Sequence, residues 1–350
     1  MKFSRRKFMA WFLTILGGGT ELLANSKKGE NINNSSQPLN RKKHENFQPS
    51  YLDLHDNGEL RKRGQELWEM MKSCELCPRK CGADRLNGEK GICGADSKLM
   101  IASYNAHFGE EAPLVGRGGS GTIFLTHCSL RCVFCINADI SQEGYGKQRS
   151  VEDMANMMLL LQKRGCHNIN VVTPTHYLPH IILALDIAAK KGLDIPLVYN
   201  SSGYERVEIL EYLDGIVDIY LPDFKYADSK MADRYSSRAK EYPQLAKKAL
   251  LEMHKQVGAA VPNQKGIMEQ GLIIRHLVMP NNVSGSKEVV SWIAENLPSD
   301  TYLNIMSQYR PVYKAYEYDQ INRRITNQEY SQIVKWARKR GLTNLEIQGY

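Results

Sequence analysis

Gly121-Thr122-Ile123-Phe124-Leu125-Thr126-His127-Cys128-Ser129-Leu130-Arg131-Cys132-Val133-Phe134-Cys135 joins a short apolar run to a loop carrying three cysteines. Residues 122–126 read as a strand, because β-branched and aromatic side chains favour a buried, pleated backbone. The same kind of run recurs at 169–173, 197–200, 217–221, 272–278 and 302–306. Between and after these lie 152–163, 179–190, 207–213, 243–257, 287–295 and 327–338, each with apolar residues at the i, i+3, i+4 spacing of a helix. Near-continuous apolar strands alternating with helices predict an α/β fold with a parallel sheet buried on both faces. Two architectures satisfy this: an open doubly wound sheet, or a complete or partial βα barrel. In both, chemistry belongs at the carboxyl ends of the strands, and the cysteine loop follows the first strand directly.

The eight cysteines fall at 74, 77, 81, 93, 128, 132, 135 and 166, as a group of four, a group of three and a singleton. Three cysteines on one short loop cannot all pair among themselves, so the clusters read as metal ligands in preference to disulfides. Cys128-x3-Cys132-x2-Cys135 can wrap three corners of a cubane 4Fe–4S cluster and leave the fourth iron without a protein ligand. A zinc site would need a fourth ligand, for which His127 is the candidate. Phe134, immediately before the third cysteine, is placed to pack its ring on a bound base. Cys74, Cys77, Cys81 and Cys93, interspersed with Gly82, Gly88, Gly91 and Gly94, make a complete four-ligand set for zinc or for a second iron–sulfur cluster. Cys166 reads as an ordinary buried thiol.

The stretch Cys128–Cys135 resembles the CxxxCxΦC signature (Φ aromatic) of radical S-adenosylmethionine enzymes. The resemblance implies a six-unit partial (β/α)6 barrel with an N-terminal Cys-rich extension, and an open iron that chelates the amino and carboxylate groups of S-adenosylmethionine. More closely, the chain from Cys74 to about Gly341 resembles the pyruvate formate-lyase activating enzyme homologues. The matching stretches include Ala106-His107-Phe108-Gly109-Glu110-Glu111, Gly119-Ser120-Gly121-Thr122-Ile123, Val172-Thr173-Pro174-Thr175-His176, Val198-Tyr199-Asn200-Ser201-Ser202-Gly203-Tyr204, Asp218-Ile219-Tyr220-Leu221-Pro222-Asp223-Phe224-Lys225-Tyr226 and Arg275-His276-Leu277-Val278-Met279-Pro280. This implies a glycyl-radical activase-like oxidoreductase that cleaves S-adenosylmethionine reductively to a 5'-deoxyadenosyl radical for hydrogen abstraction. The implied partners are a low-potential electron donor such as flavodoxin or ferredoxin, and a protein substrate offering a backbone glycine. Two other readings stay open: a radical enzyme acting on a small molecule, and a non-catalytic iron–sulfur or zinc protein.

The cofactor carries the difficult chemistry, so no general acid or base is assigned. Thr173 and Thr175 lie where many superfamily members carry Gly-Gly-Glu to hold the ammonium of S-adenosylmethionine. This chain departs from that pattern, and its hydroxyls and carbonyls offer acceptors instead. Asn200 and Ser202 close the third strand. Asp223 and Lys225 close the fourth, where the resemblance implies contact with the carboxylate and ribose of S-adenosylmethionine, and an ammonium beside an anionic carboxylate is sound chemistry. Arg275 and His276 alternate along the fifth strand, so at most one points into the barrel. Ser307-Gln308-Tyr309-Arg310 follows the sixth strand and is a candidate either for the pocket wall or for a buried hydrogen-bonding role.

The chain has 350 residues and a net charge of +8. Residues 1–50 hold nine Lys/Arg and three Glu, leaving +2 for the remainder. That nearly neutral body lacks the basic stripe of a nucleic-acid binder. The longest apolar run, 8–16, is far short of the ~20 residues of a membrane-spanning helix, so no integral membrane segment is expected. Ser4-Arg5-Arg6-Lys7-Phe8-Met9, the weakly apolar 10–16 and Gly17-Gly18-Gly19 resemble a twin-arginine export signal. The signal points to export, whereas the nucleoside cofactor and its reductant point to the cytoplasm. The expected organisation is a twin-arginine-like signal at 1–24, a disordered linker at 25–60, a Cys-rich metal-binding extension at 61–110 and the radical S-adenosylmethionine partial barrel at 111–345.

Overall fold

The computed structural model describes residues 47–348, so the twin-arginine-like segment and the tether up to residue 46 lie outside the described residues. Ten strands form one sheet: β1 (Met100–His107), β2 (Ser120–Leu125), β3 (Lys147–Gln148), β4 (Ile169–Val172), β5 (Leu197–Ser201), β6 (Ile219–Pro222), β7 (Val261–Pro262), β8 (Met268–Leu277), β9 (Tyr302–Met306) and β10 (Leu345–Ile347). Their order is β10-β9-β8-β6-β5-β4-β2-β1-β3, with β7 paired to β8. All neighbours from β2 to β10 along this path are parallel, and β1 and β3 are added antiparallel at the far edge. The six expected strands are all present, as are their helices Val151–Lys163, Leu178–Lys190, Val207–Leu210, Tyr242–Val257, Ser286–Asn296 and Asn327–Lys339. The first of these helices starts on a capping box, Ser150 Oγ accepting from Asp153 N (3.0 Å) and Asp153 Oδ2 from Ser150 N (3.1 Å).

Strand order decides between the two architectures. A doubly wound sheet reverses direction at a switch point. Here the parallel strands succeed one another in chain order without reversal. Right-handed crossovers in one direction place every helix on the same face, so the other face must be covered by the curvature of the sheet itself. The core reflects this division. Tyr199, Tyr220, Leu272 and Ile274 join the large cluster that includes the helices, while the alternate residues Val198, Ile219, Leu221 and Ile273 form a second, smaller cluster with Leu114 and Met268. The chain is therefore an α/β partial barrel with a filled lumen. β10 adds a seventh parallel strand, and the sheet ends β10 and β3 remain apart.

Three boundaries are corrected. The tether expected to reach residue 60 gives way to helices Tyr51–Asp56 and Glu59–Glu69. Tyr51, Leu60 and Leu67 are fully buried there, and Ser50 N donates to Asp218 Oδ1 at 2.8 Å. Gly64 lies so close to helix Leu178–Lys190 that a Cβ would come within 2.9 Å of Leu183. The end of the Cys-rich extension is β1, part of the sheet, and the last strand runs to Ile347. No helix among the described residues is long and apolar enough to cross a membrane.

Candidate active site

The cysteine loop leaves the carboxyl end of β2 through His127 and Arg131, both in the left-handed region (φ 66° and 53°). It is clamped from three sides: His127 N donates to Ile140 O (3.0 Å), Val133 N to Tyr235 O (2.9 Å), and Lys314 N to Val133 O (3.0 Å). Cys132 is buried, and Cys128 and Cys135 are half-buried. Ser236 Oγ donates to Cys132 Sγ at 3.1 Å, and the Ser141 hydroxyl lies 3.1 Å from Cys135 Sγ. Burial pushes the Cys132 thiol up to about 12, opposed by the positive charge of Lys225. Burial likewise raises Cys128. All eight cysteines are free thiols.

This donor set fits a thiolate-held cluster. Three soft side chains share one loop, with serine hydroxyls bonded to two of the sulfurs and a cation nearby. The ring of His127, the candidate fourth ligand of a zinc site, lies between the backbones of Gly94 and Gly144.

Beside the loop lies a layer of lumen-facing polar side chains above the apolar floor. Asp223 is held by Lys225 (Nζ to Oδ2, 2.7 Å) and Arg275 (Nε to Oδ1, 2.9 Å). Burial alone would raise the Asp223 carboxyl, but the two cations outweigh it and hold it below its ordinary range. Burial would lower Lys225, but Asp223 outweighs that and keeps it raised. Arg275 Nη2 donates to Asn200 Oδ1 (2.7 Å), and its Nη1 is 3.7 Å from Glu110 Oε2. Burial pushes Glu110 up to about 7 against the pull of Arg275. Asn304 Nδ2 donates to Glu111 Oε1 (2.9 Å). His276 takes the opposite face, as alternation requires, between Phe224 O (2.6 Å) and Ser286 Oγ (2.8 Å).

The structure thus unites Asn200, Asp223 and Lys225 beside Cys128 and Cys132, and separates others of the expected set. Ser202 joins through Tyr242, whose hydroxyl shares its one proton between Ser202 O and Asp223 O (2.9 Å each) and accepts from Lys225 N (2.8 Å). Thr173 has a left-handed φ of 59° and donates its N–H to Asn200 O. Thr175 is buried, and its hydroxyl donates to Glu205 Oε1 at 2.7 Å. Phe134 is held in the core, edge-on to Tyr226 and Tyr309 at centroid distances of 6.3 and 6.0 Å. Tyr309 is buried with its hydroxyl on Ile321 O, a packing role more than a pocket wall. Glu110, Glu111, Asn304 and Tyr242 went unassigned. The pair Glu110-Glu111 was visible as a motif, but only the antiparallel strand β1 delivers it to the lumen.

Arg85, between Cys81 and Cys93 in sequence, is fully buried and donates to Cys74 Sγ (3.7 Å), His176 O (2.8 Å) and Asp96 O (2.8 Å). Ala95 N donates to Cys93 Sγ (3.5 Å). The sulfurs of Cys81 and Cys93 both flank Gly91, 3.2 and 3.4 Å from where its Cβ would stand.

A family model of the radical SAM superfamily matches residues 122–268. An uncharacterized protein of Methanocaldococcus jannaschii, MJ0674, is 34% identical over 284 residues, which are 78% of this chain and 76% of that protein. Among solved structures the chain is similar to a radical SAM methyltransferase from Sphaerobacter thermophilus (11% identity, 85% of this chain and 91% of that one, TM-score 0.45). It is also similar to methylornithine synthase (11% identity, 85% of each chain, TM-score 0.42).

Proposed function

The chain belongs to the radical SAM superfamily, which implies a 4Fe–4S cluster and S-adenosylmethionine, and we propose that Cys128, Cys132 and Cys135 hold that cluster while Asn200, Ser202, Asp223 and Lys225 receive S-adenosylmethionine. The observation that carries this is a short chain of contacts: Lys225 is anchored on Asp223 (2.7 Å), and the hydroxyl of the adjacent Tyr226 lies 2.9 Å from Ser236 Oγ, which donates to Cys132 Sγ (3.1 Å). When bound, the two groups supply one-electron reductive cleavage of S-adenosylmethionine to methionine and a 5'-deoxyadenosyl radical, the electron coming from a donor of the flavodoxin or ferredoxin class. The protein's tasks are orientation and exclusion of water. Lys225 meets a carboxylate as a point charge. Asp223 and Arg275 fix the position of that charge. The apolar floor of Val198, Ile219, Leu221 and Ile273 closes the lumen beneath. Cys74, Cys77, Cys81 and Cys93 form a second metal site in the extension.

For the substrate, the reading is hydrogen abstraction from a protein, of the kind that installs a backbone glycyl radical. It is supported by exposed apolar side chains beside the cysteine loop: Ile136 next to Cys135, and Tyr313 and Tyr316 on the turn bonded to Val133. Reduced protein examined by electron paramagnetic resonance should change its cluster signal on adding S-adenosylmethionine, and Lys225→Met should weaken that response. An unchanged signal from a loaded cluster overturns the reading. Anaerobic extract split by dialysis tests the substrate. Stimulated turnover with the retained macromolecules, with a glycyl-radical doublet, supports protein modification, and stimulation by the diffusate alone refutes it.

A further inference from the structure

The extension and the cysteine loop are joined by two guanidinium groups. Arg79, between Cys77 and Cys81, donates from Nε to Ser129 O (2.9 Å) and from Nη2 to Ser236 O (3.2 Å). Ser129 lies next to Cys128, and Ser236 is the residue whose hydroxyl bonds Cys132 Sγ. In the other direction, Arg131, next to Cys132, donates to Cys93 O (3.3 Å). Each cysteine set thus supplies an arginine to the backbone of the other. An arrangement whose only purpose was to hold the extension on the barrel would not need both bonds to fall within one residue of a ligand.

The ligand pattern separates zinc from iron. Structural zinc sites draw their ligands as two close pairs, each pair on its own knuckle. Cubane sites of ferredoxins take three ligands from one short run and the fourth from a remote cysteine. Here the division is three and one: Cys74-x2-Cys77-x3-Cys81 on one run, and Cys93 brought back over Gly91 against Cys81. The run has the gaps of the barrel loop, Cys128-x3-Cys132-x2-Cys135, in reverse order. Cys74, Cys77 and Cys93 are buried and Cys81 is half-buried, and Cys74 and Cys93 accept N–H bonds from Arg85 and Ala95.

We propose that Cys74, Cys77, Cys81 and Cys93 hold a second 4Fe–4S cluster, fully ligated by protein, that feeds electrons to the cluster of the barrel loop. With four cysteine ligands it has no open iron, so it does not chelate S-adenosylmethionine. The step is a single-electron transfer: a flavodoxin- or ferredoxin-class donor is oxidised as the second cluster is reduced, and that cluster is reoxidised as the barrel cluster is reduced. The site itself stands independently of the proposed function, and only its relay role rests on that reading.

The test uses the full chain, reconstituted anaerobically with iron and sulfide in the presence of zinc, beside a Cys128→Ala/Cys132→Ala/Cys135→Ala variant. Wild type should carry about eight irons and the variant about four, a twofold difference. The variant's dithionite-reduced resonance signal should be unaltered by S-adenosylmethionine. A folded variant that carries zinc, or no metal, overturns the proposal, as does a signal that responds to S-adenosylmethionine. Cys74→Ala/Cys77→Ala/Cys81→Ala provides the reciprocal measurement, halving the iron of the wild type while leaving the S-adenosylmethionine-responsive signal. If the triple variant instead keeps all the iron of the wild type, the barrel site fails and the second site is left standing, so the two readings are separable. For the relay, Arg79→Lys and Arg131→Lys together should slow reduction of the S-adenosylmethionine-responsive cluster by the donor protein without changing iron content. An unchanged rate refutes the relay.

Discussion

Lys225 Nζ lies 2.7 Å from Asp223 Oδ2 across one intervening residue, and both side chains are largely buried. Two consecutive odd positions past the end of β6 project to the same side, so the register of one strand places cation and anion together. Removing one partner of such a pair leaves a buried charge uncompensated, a cost of about 3–5 kcal/mol. Asp223→Asn is therefore expected to lower the denaturation midpoint sharply and to abolish the response to S-adenosylmethionine. Lys225→Met should weaken that response with a smaller loss of stability, because Arg275 still compensates Asp223. Calorimetry and resonance titration of the two variants check the contrast.

Gly203 sets the distance between two strand ends. Its φ is 72°, and a Cβ there would stand 2.1 Å from Asp223 O, which is backbone and cannot rotate away. Gly203→Ala should displace Asp223 and cost well beyond the ~1–2 kcal/mol of a left-handed alanine. Gly192, at φ 91° with nothing within 4 Å, is the matched control: Gly192→Ala should show the conformational cost alone and retain cofactor binding.

Protonation divides the buried groups into two opposing sets. Burial holds His176 at about 3 and His180 and His276 at about 4, against an ordinary 6.5. Between those values the unfolded chain binds protons that the folded one does not, so these histidines make stability fall as pH drops below 6.5. Glu110 and Glu205 are raised by burial to about 7 from 4.5, so between 4.5 and 7 the folded state binds the extra protons and stability falls as pH rises. The slopes oppose each other. Glu110→Gln removes one acidic contribution, and its stability is expected to climb more steeply between pH 4.5 and 7 than that of the wild type, measured as urea midpoints.

The Ser236 hydroxyl donates to Cys132 Sγ, and with a cluster held there as proposed this bond would stabilise its more negative, reduced state. Ser236→Ala should lower the midpoint potential. A hydrogen bond worth about 1 kcal/mol corresponds to roughly 40 mV for a one-electron couple, in which tenfold is 59 mV. Redox titration monitored by resonance reads this shift directly.

Sequence periodicity revealed the parallel strands because each is apolar on both faces, as burial between lumen and helices demands. It missed β1, whose residues Ser103, Tyr104, Asn105 and His107 are polar or only partly buried at the sheet edge, and with it the delivery of Glu110 to Arg275. The cysteine triad and the Asp223/Lys225 pair were legible because their spacing is local. Tyr242, Asn304 and Arg275 enter the site through contacts between residues far apart in sequence, which no local pattern encodes. The surroundings of Thr175 and Phe134 were hidden for the same reason, since their neighbours Glu205, Tyr226 and Tyr309 come from later segments.

The central claim is that the Cys128/Cys132/Cys135 loop supports reductive cleavage of S-adenosylmethionine. Anaerobically reconstituted, dithionite-reduced protein should form 5'-deoxyadenosine from added S-adenosylmethionine, detected by chromatography, and Cys132→Ala should form none. A fully loaded, reduced cluster that yields no 5'-deoxyadenosine, or equal yields from wild type and Cys132→Ala, would contradict the account.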